Sequence, residues 1–551
     1  MVTSQDSEPC ILAARLLDRL ARGVDTLGLG ALQDLDHIVA NSLSVVRSTI
    51  NNHRPVHQLP VEVLGIIFRH ALPSNEGGFR QSGAKEPDMH EERRERVALT
   101  QVCRRWRDTA SQMAAFWTLI DASSVQWATT CFERSGTMLL HVFLRYPLDS
   151  TTETPLASEG ARIRDLFIEF PKDRRSIIPT ELPTFLPEVP NMESLSIVTR
   201  SRAFEEGRPM VDLSQCPPLF PQPPPRLRTL ILKNQCWFPA VPYEQLTHLH
   251  IAQCTPVDLR TLVGLLARCT ALEALVLADV YLASARAVPD DCTAPLPHLR
   301  LLALGIHQSR LSMRRMLKCL VLPATGLTVR ISGNEAARAL CDLQPFPALP
   351  FTADFDALTL DRTSDGLVLQ AACVRTGTGL LLEFGHGYTS LLVSLAKNVL
   401  PALIPFANIM RLAVRADKCD VALHLLPEMP AVASVCMVDA APQGVDAGAG
   451  IGAALAEFPH CVPRVSELAI WSPRRELSCL PKLPFIAIKL KKFSFCHISD
   501  GGPEAPAGPP PGQEYLESSI AEVDFRTVDH ADVPNLIDLP GVRPLNHIYD
   551  W

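Results

Sequence analysis

The chain has 551 residues, 47% of them hydrophobic and 20% charged, with a formal net charge of −7. That apolar mass excludes wholesale disorder, and the acidic balance excludes the basic face a nucleic-acid-binding domain normally carries. The 16 cysteines include no CxxC pair and no Cys/His set at zinc-ligand spacing, so neither a metal nor a disulfide framework is expected.

No secretory leader is expected, because the apolar stretch Ile11 to Leu20 carries Arg15, Asp18 and Arg19 through its middle. Residues 1–52 read as helix. Leu12, Leu16, Leu20 and Val24 recur every four residues, and Gly28 and Gly30 interrupt the pattern. Leu32, Leu35, Val39, Leu43, Val46 and Ile50 then form one amphipathic stripe. The stripe suits a helical hairpin, packing against the next domain, or a dimerising coiled coil, although it covers fewer than three or four heptads.

Residues 53–124 carry the most specific pattern. A helix is expected from Pro60, with Val63, Leu64, Ile67 and Phe68 on one apolar face, ending at Pro73. Residues 74–96 form an inserted loop, its first part polar and glycine-rich and its end the charge run His90 to Arg96, which reads as a solvated face opening the next helix. That second helix is expected through Val97, Val102, Cys103, Trp106 and Ala110, with Phe116 and Trp117 closing the unit.

The run Leu59-Pro60-x-Glu62-Val63-Leu64-x-x-Ile67-Phe68, followed by Val102-Cys103-Arg104-x-Trp106, resembles an F-box. It is especially similar to the F-box proteins of mushroom-forming fungi. The resemblance implies a helix-in-groove contact with a Skp-type linker subunit and, through it, a cullin–RING ubiquitin ligase. It assigns Leu59, Pro60, Val63, Leu64, Ile67, Phe68, Val102, Cys103 and Trp106 to linker binding or to the core of the unit. Which of them face inward and which face the partner is open at this stage. The bland alternative is a helical hairpin whose apolar residues only pack on one another.

From residue 150 to 500 the pattern apolar-x-x-apolar-x-apolar recurs ten times. Its first six copies are Ile163/Leu166/Ile168, Met192/Leu195/Ile197, Leu227/Leu230/Leu232, Leu246/Leu249/Ile251, Leu272/Leu275/Leu277 and Leu299/Leu302/Leu304. Four later copies start at Ile409, Val432, Val465 and Leu490. Several steps fall in the leucine-rich-repeat range of about 20–29 residues, and Leu246 to Cys254 fits the full repeat best. Leu259 to Cys269 has helical periodicity where a return leg belongs, and residues 305–408 read as degenerate repeats.

The expected fold class is therefore α/β: an all-helical leader and F-box, then a leucine-rich-repeat-like α/β solenoid, a horseshoe. Unrelated strands in ordinary α/β domains are the competing reading. In a horseshoe the residues between the leucines line the concave face, so Phe167, His248, His250, Arg411, Arg415 and Trp471 are candidate contacts for a protein substrate. The longest apolar run, Leu391 to Phe406, is broken by Lys397, Asn398, Pro401 and Pro405 and cannot span a bilayer. Residues 501–551 read as a Pro/Gly-rich linker and a C-terminal tail.

Catalytic signatures are scarce. Gly448-Ala449-Gly450-Ile451-Gly452-Ala453 formally fits a dinucleotide turn, but the preceding strand-like run ends about ten residues too early. No cofactor is expected. The function the F-box resemblance implies is a non-catalytic substrate adaptor of a ubiquitin ligase; no nucleic-acid or membrane partner is expected, and the compartment expected is cytoplasm or nucleus. The alternative is a repeat scaffold outside any ligase.

Overall fold

The recurring apolar triplets become parallel strands whose equivalent residues sit side by side. Leu166, Leu195, Leu230, Leu249, Leu275, Leu302 and Val329 pair in register across seven consecutive strands. All seven are buried, as are the residues that open the first six triplets. One repeat cannot cover its own apolar side, so each strand is stable only against the next.

The computed structural model describes residues 8–23, 27–72, 89–146, 156–170, 188–199, 220, 222–235, 238, 241, 243–254, 257–280, 282–283, 293–305, 313–333, 336, 340, 352–363, 366–373, 375–385, 399–415, 421–422, 425–438, 464–472, 490–499 and 520–529. They fall into two compact units, a helical one ending at Trp117 (with Arg134–Gly136 counted in it) and a second that begins at Thr118. Most of the 74–96 insertion, the 448–453 glycine run and most of 501–551 lie outside the described residues.

The helical unit contains α1 (Glu8–Gly23), α2 (Leu29–Asn52), α3 (Val61–Ala71), α4 (Met89–Gln101) and α5 (Arg104–Gln112). The second helix expected through Val97 and Ala110 is two helices, broken at Val102 and Cys103. Cys103 is fully extended (φ −162°, ψ 172°), and its sulfur accepts a hydrogen bond from the Trp106 N–H at 3.4 Å, capping α5.

Among the described residues the second unit holds two short two-stranded pairs and a 17-stranded sheet. Its strands are β1 (Leu119–Asp121), β2 (Leu140–Arg145), β3 (Ile163–Phe170), β4 (Ser194–Thr199), β5 (Thr229–Lys233), β6 (His248–Ala252), β7 (Ala274–Ala278), β8 (Leu301–Gly305) and β9 (Thr328–Ser332). They continue as β10 (Ala357–Thr363), β11 (Gly366–Cys373), β12 (Thr378–Gly385), β13 (Arg411–Arg415), β14 (Ser434–Val438), β15 (Glu467–Ser472), β16 (Lys492–Ser499) and β17 (Glu522–Asp529). β1 to β9 pair in chain order, all parallel, and so do β13 to β17. The sheet is open, with β1 and β17 at its edges. It begins at Leu119, well before residue 150, and the helix Val125–Arg134 (α6) carries the chain from β1 to β2.

Between β9 and β13 the order reverses. β9 pairs with β12, β12 with β11, β11 with β10, and β10 with β13. Only β11 runs antiparallel to its neighbours. Within the stretch read as degenerate repeats, β9 extends the parallel array and β10 to β12 form a three-stranded meander spliced into it. Antiparallel neighbours need only short connections, such as Thr376 and Gly377, rather than a full return leg.

The turn out of β5, β6 and β7 repeats as well. Asn234, Gln253 and Asp279 all have φ between 49° and 56°, and each N–H bonds the carbonyl that ends the next strand, at 2.7 to 2.9 Å. The following residue reaches back. Gln235 donates to Thr199 Oγ1 and the Lys233 carbonyl, and Cys254 Sγ lies 3.5 Å from the Ala252 carbonyl. The expected return leg forms the helix Leu259–Arg268 (α7), which buries Leu259, Leu262, Val263, Leu265 and Leu266.

Candidate docking site

α3 divides its apolar residues between two faces. Leu64 and Phe68 are completely buried, and the Phe68 ring packs 5.0 Å from Trp106 and 6.4 Å from Phe116. Trp117 closes this cluster, its ring 5.2 Å from Phe116 and its Nε1–H donating to the Ala110 carbonyl at 2.8 Å. Gly65 faces the same core: a Cβ there would meet the Met113 sulfur at 3.2 Å.

The other face is open. Val61, Val63, Ile66 and Ile67 are 37–51% exposed, and Val102, from the break between α4 and α5, is 54% exposed. Leu59 is half-buried and Pro60 exposed at the start of α3, while Cys103 and Trp106 are half-buried. The nine sequence candidates therefore separate: Leu64 and Phe68 are core, Pro60, Val63, Ile67 and Val102 face outward, and Leu59, Cys103 and Trp106 lie between. Val61 and Ile66 join the outward set. Helical spacing from Val63 carried the signal for Ile66, but nothing in the pattern separated partner-facing from core-facing residues.

The segment leading into α3 is held by a residue outside the nine sequence candidates. Arg105 donates from both guanidinium nitrogens, to the backbone carbonyls of His57 and Leu59. His57 is itself buried, its Nε2 lying 3.8 Å from Cys103 Sγ. Arg105 thereby ties residues 57–59 to the first turn of α5. The Arg105→Ala variant is expected to lose about 1–3 kcal/mol of local stability, because two carbonyls lose a charged donor. Hydrogen exchange of residues 57–64 checks this: unchanged protection there would remove Arg105 from the role.

On the sheet, strand alternation places Phe167, His248, His250, Arg411, Arg415 and Trp471 on the face opposite the leucines. Two of the six are not available there as contacts. Phe167 is 5% exposed because it stacks on Phe143, with centroids 4.9 Å apart and an interplanar angle of 15°. His250 is 4% exposed, between its register neighbours Ile231 and Val276. Burial pushes its pKa down to about 3, with the Lys233 charge adding to the shift. His248 and Arg411 are exposed, and Arg415 and Trp471 are half-buried.

Most charges on this face are matched across adjacent strands. His141 lies 2.6 Å from Asp165, Arg145 3.2 Å from Glu169, Arg330 2.9 Å from Glu383 and Arg415 2.9 Å from Asp361. A sheet face with its charges internally paired offers a polyanion little attraction. It presents shape and hydrogen bonding instead.

Chemistry is sparse among the described residues. No three His, Cys, Asp or Glu side chains gather as a metal site there, and no helix is long and apolar enough to cross a membrane. Burial raises the Cys269 and Cys436 thiols to about 12, so both stay protonated and unreactive near neutral pH.

The sequence matches no family model and no curated protein. Among solved structures, the crystal structure of the Rad7 and Elc1 complex in yeast is similar to this chain at 11% identity and a TM-score of 0.24, over 89% of this chain and 99% of that chain. A likeness that slight assigns neither fold nor role.

Proposed function

We propose that this chain is a non-catalytic substrate receptor: its helical unit docks a Skp-type linker subunit of a cullin–RING ubiquitin ligase, and its repeat-built sheet, read as a leucine-rich-repeat horseshoe, holds a protein substrate. One observation carries the proposal. α3 leaves Val63, Ile66 and Ile67 37–51% exposed while it buries Leu64, Gly65 and Phe68. An apolar strip on a helix, lengthened by Val61, is the surface expected of a helix-in-groove contact, and Val102 is a further exposed apolar residue of the same unit. The F-box pattern in the sequence supplies the identity of the groove. The receptor's contribution to ubiquitin transfer is proximity, since a held substrate experiences a raised effective concentration of the charged enzyme. That role places the protein in the cytoplasm or nucleus.

The test is capture of a purified Skp-type linker subunit by the full chain and by its Val63→Asp/Ile67→Asp variant. Both substituted residues point outward, so the variant keeps the fold while placing two carboxylates in the contact. Native chain is expected to bind and the variant to bind at least about 100-fold more weakly, on the scale of hot-spot losses. Failure of the folded native chain to bind the linker would leave a repeat scaffold that works outside a ligase.

A further inference from the structure

The leader helix α2 is 24 residues long and contains no buried residue. Isolated helices are poorly stable in water, and most helical stability in proteins comes from covering an apolar face. α2 has such a face. Leu29, Leu32, Val39, Leu43, Val46 and Ile50 follow alternating steps of three and four once Asp36 is counted in the one remaining place. This is a continuous heptad seam through the helix, about 36 Å long at 1.5 Å per residue. Leu32 is half-buried and the other five apolar residues are exposed. The Ser42 and Thr49 hydroxyls beside the seam donate to the Ile38 and Val45 carbonyls of the same helix, so neither would carry an unpaired donor into an interface.

We infer that α2 is an antiparallel self-association helix whose partner is α2 of a second copy of this chain. Charge selects both the partner and the direction. In a parallel pair, Asp36 would face its own counterpart, putting two carboxylates into one apolar layer, which like-charge repulsion and desolvation oppose. In an antiparallel pair with Val39 against the partner's Leu43, Asp36 lies opposite the partner's Val46, one residue from the partner's Arg47. Arg47 and Asp36 flank the same side of the seam, so the pair forms twice, once at each end of a two-fold interface. Leu32 meets the partner's Ile50, so the other layers within the two helices are apolar on both sides, while Leu29 falls opposite His53 just past the partner's helix end. A single polar residue at a core position of a coiled coil fixes orientation at some cost in stability, and Asp36 has that role here.

The experiment is sedimentation of the full chain at micromolar concentrations. The native chain is expected to run as a dimer. Asp36→Arg places two arginines together in the antiparallel arrangement, and Arg47→Asp places two aspartates together, so each variant alone should associate at least about tenfold more weakly. Both side chains are exposed, so neither substitution threatens the fold. An equimolar mixture of the two variants should recover the dimer, because each copy supplies what the other lacks. Recovery on mixing supports an antiparallel pair of α2 helices. A monomeric native chain, single variants that associate as well as native, or a mixture that stays monomeric would each overturn the inference.

Discussion

Phe68→Ala is expected to unfold the helical unit while Val63→Asp/Ile67→Asp, on the same helix, leaves it folded. Phe68 is fully buried and contacts the Trp106 and Phe116 rings, so removing it leaves a cavity that rigid aromatic neighbours fill poorly. Phe-to-Ala changes at such sites cost about 3–5 kcal/mol. A unit whose core rests on a few side chains, Leu64, Phe68, Phe116 and Trp117 among them, has little reserve against that loss. Hydrogen exchange across α3 and α5 should show protection falling by two to three orders of magnitude, at about 1.4 kcal/mol per decade. Strands of the sheet unit should keep their protection. Native-like protection of α3 in the Phe68→Ala chain would mean that the aromatic cluster is not the core of this unit. If so, the division of α3 into a core face and a docking face would fail with it.

How far these features were readable beforehand differs from element to element. The spacing of Leu246, Leu249 and Ile251 specifies a strand with a buried lead-in, and neighbouring copies in equal register follow, because a one-residue slip would turn the leucines to the other face. The same spacing occurs at Ile520, Val523 and Phe525, where β17 pairs in parallel with β16. A proline- and glycine-rich segment precedes it and suggests a tail, which masks this copy of the pattern. The meander was hidden for a different reason. Leu358, Leu360, Leu367, Leu369, Leu380 and Leu382 alternate as any strand does, and alternation does not encode strand direction. At the helical unit, periodicity identified the apolar residues of α3 but not their allegiance. Leu64 and Val63 are equally apolar in sequence, and only the folded unit makes one completely buried and leaves the other 37% exposed. The sheet's second face shows the same limit, since alternation assigns His250 to a face without saying what lies over it.

His250 should make the sheet unit acid-sensitive in a way one substitution removes. In the unfolded chain its imidazole titrates near the usual histidine value of about 6.5. In the folded protein burial, with the Lys233 charge adding to it, holds the value at about 3. Between those two values the unfolded state binds a proton that the folded state refuses. Stability contributed by the neutral imidazole is therefore fully present above pH 6.5 and is lost as pH falls toward the folded value. The slope rises from half of about 1.4 kcal/mol per pH unit at pH 6.5 toward the full value, so acidification from pH 6.5 to 4.5 costs this site roughly 2 kcal/mol. His250→Leu fills much of the same apolar space between Ile231 and Val276 and has no proton to bind. Its absolute stability at pH 7 is a separate matter of packing. The informative quantity is the difference in urea midpoint between native and His250→Leu chains, converted to free energy and followed from pH 7 to 4.5. That difference should shift toward the variant by about 2–3 kcal/mol on acidification, while the carboxylates and other histidines common to both chains cancel. Parallel curves would show that His250 is protonated in the folded chain and that this face of the sheet admits water.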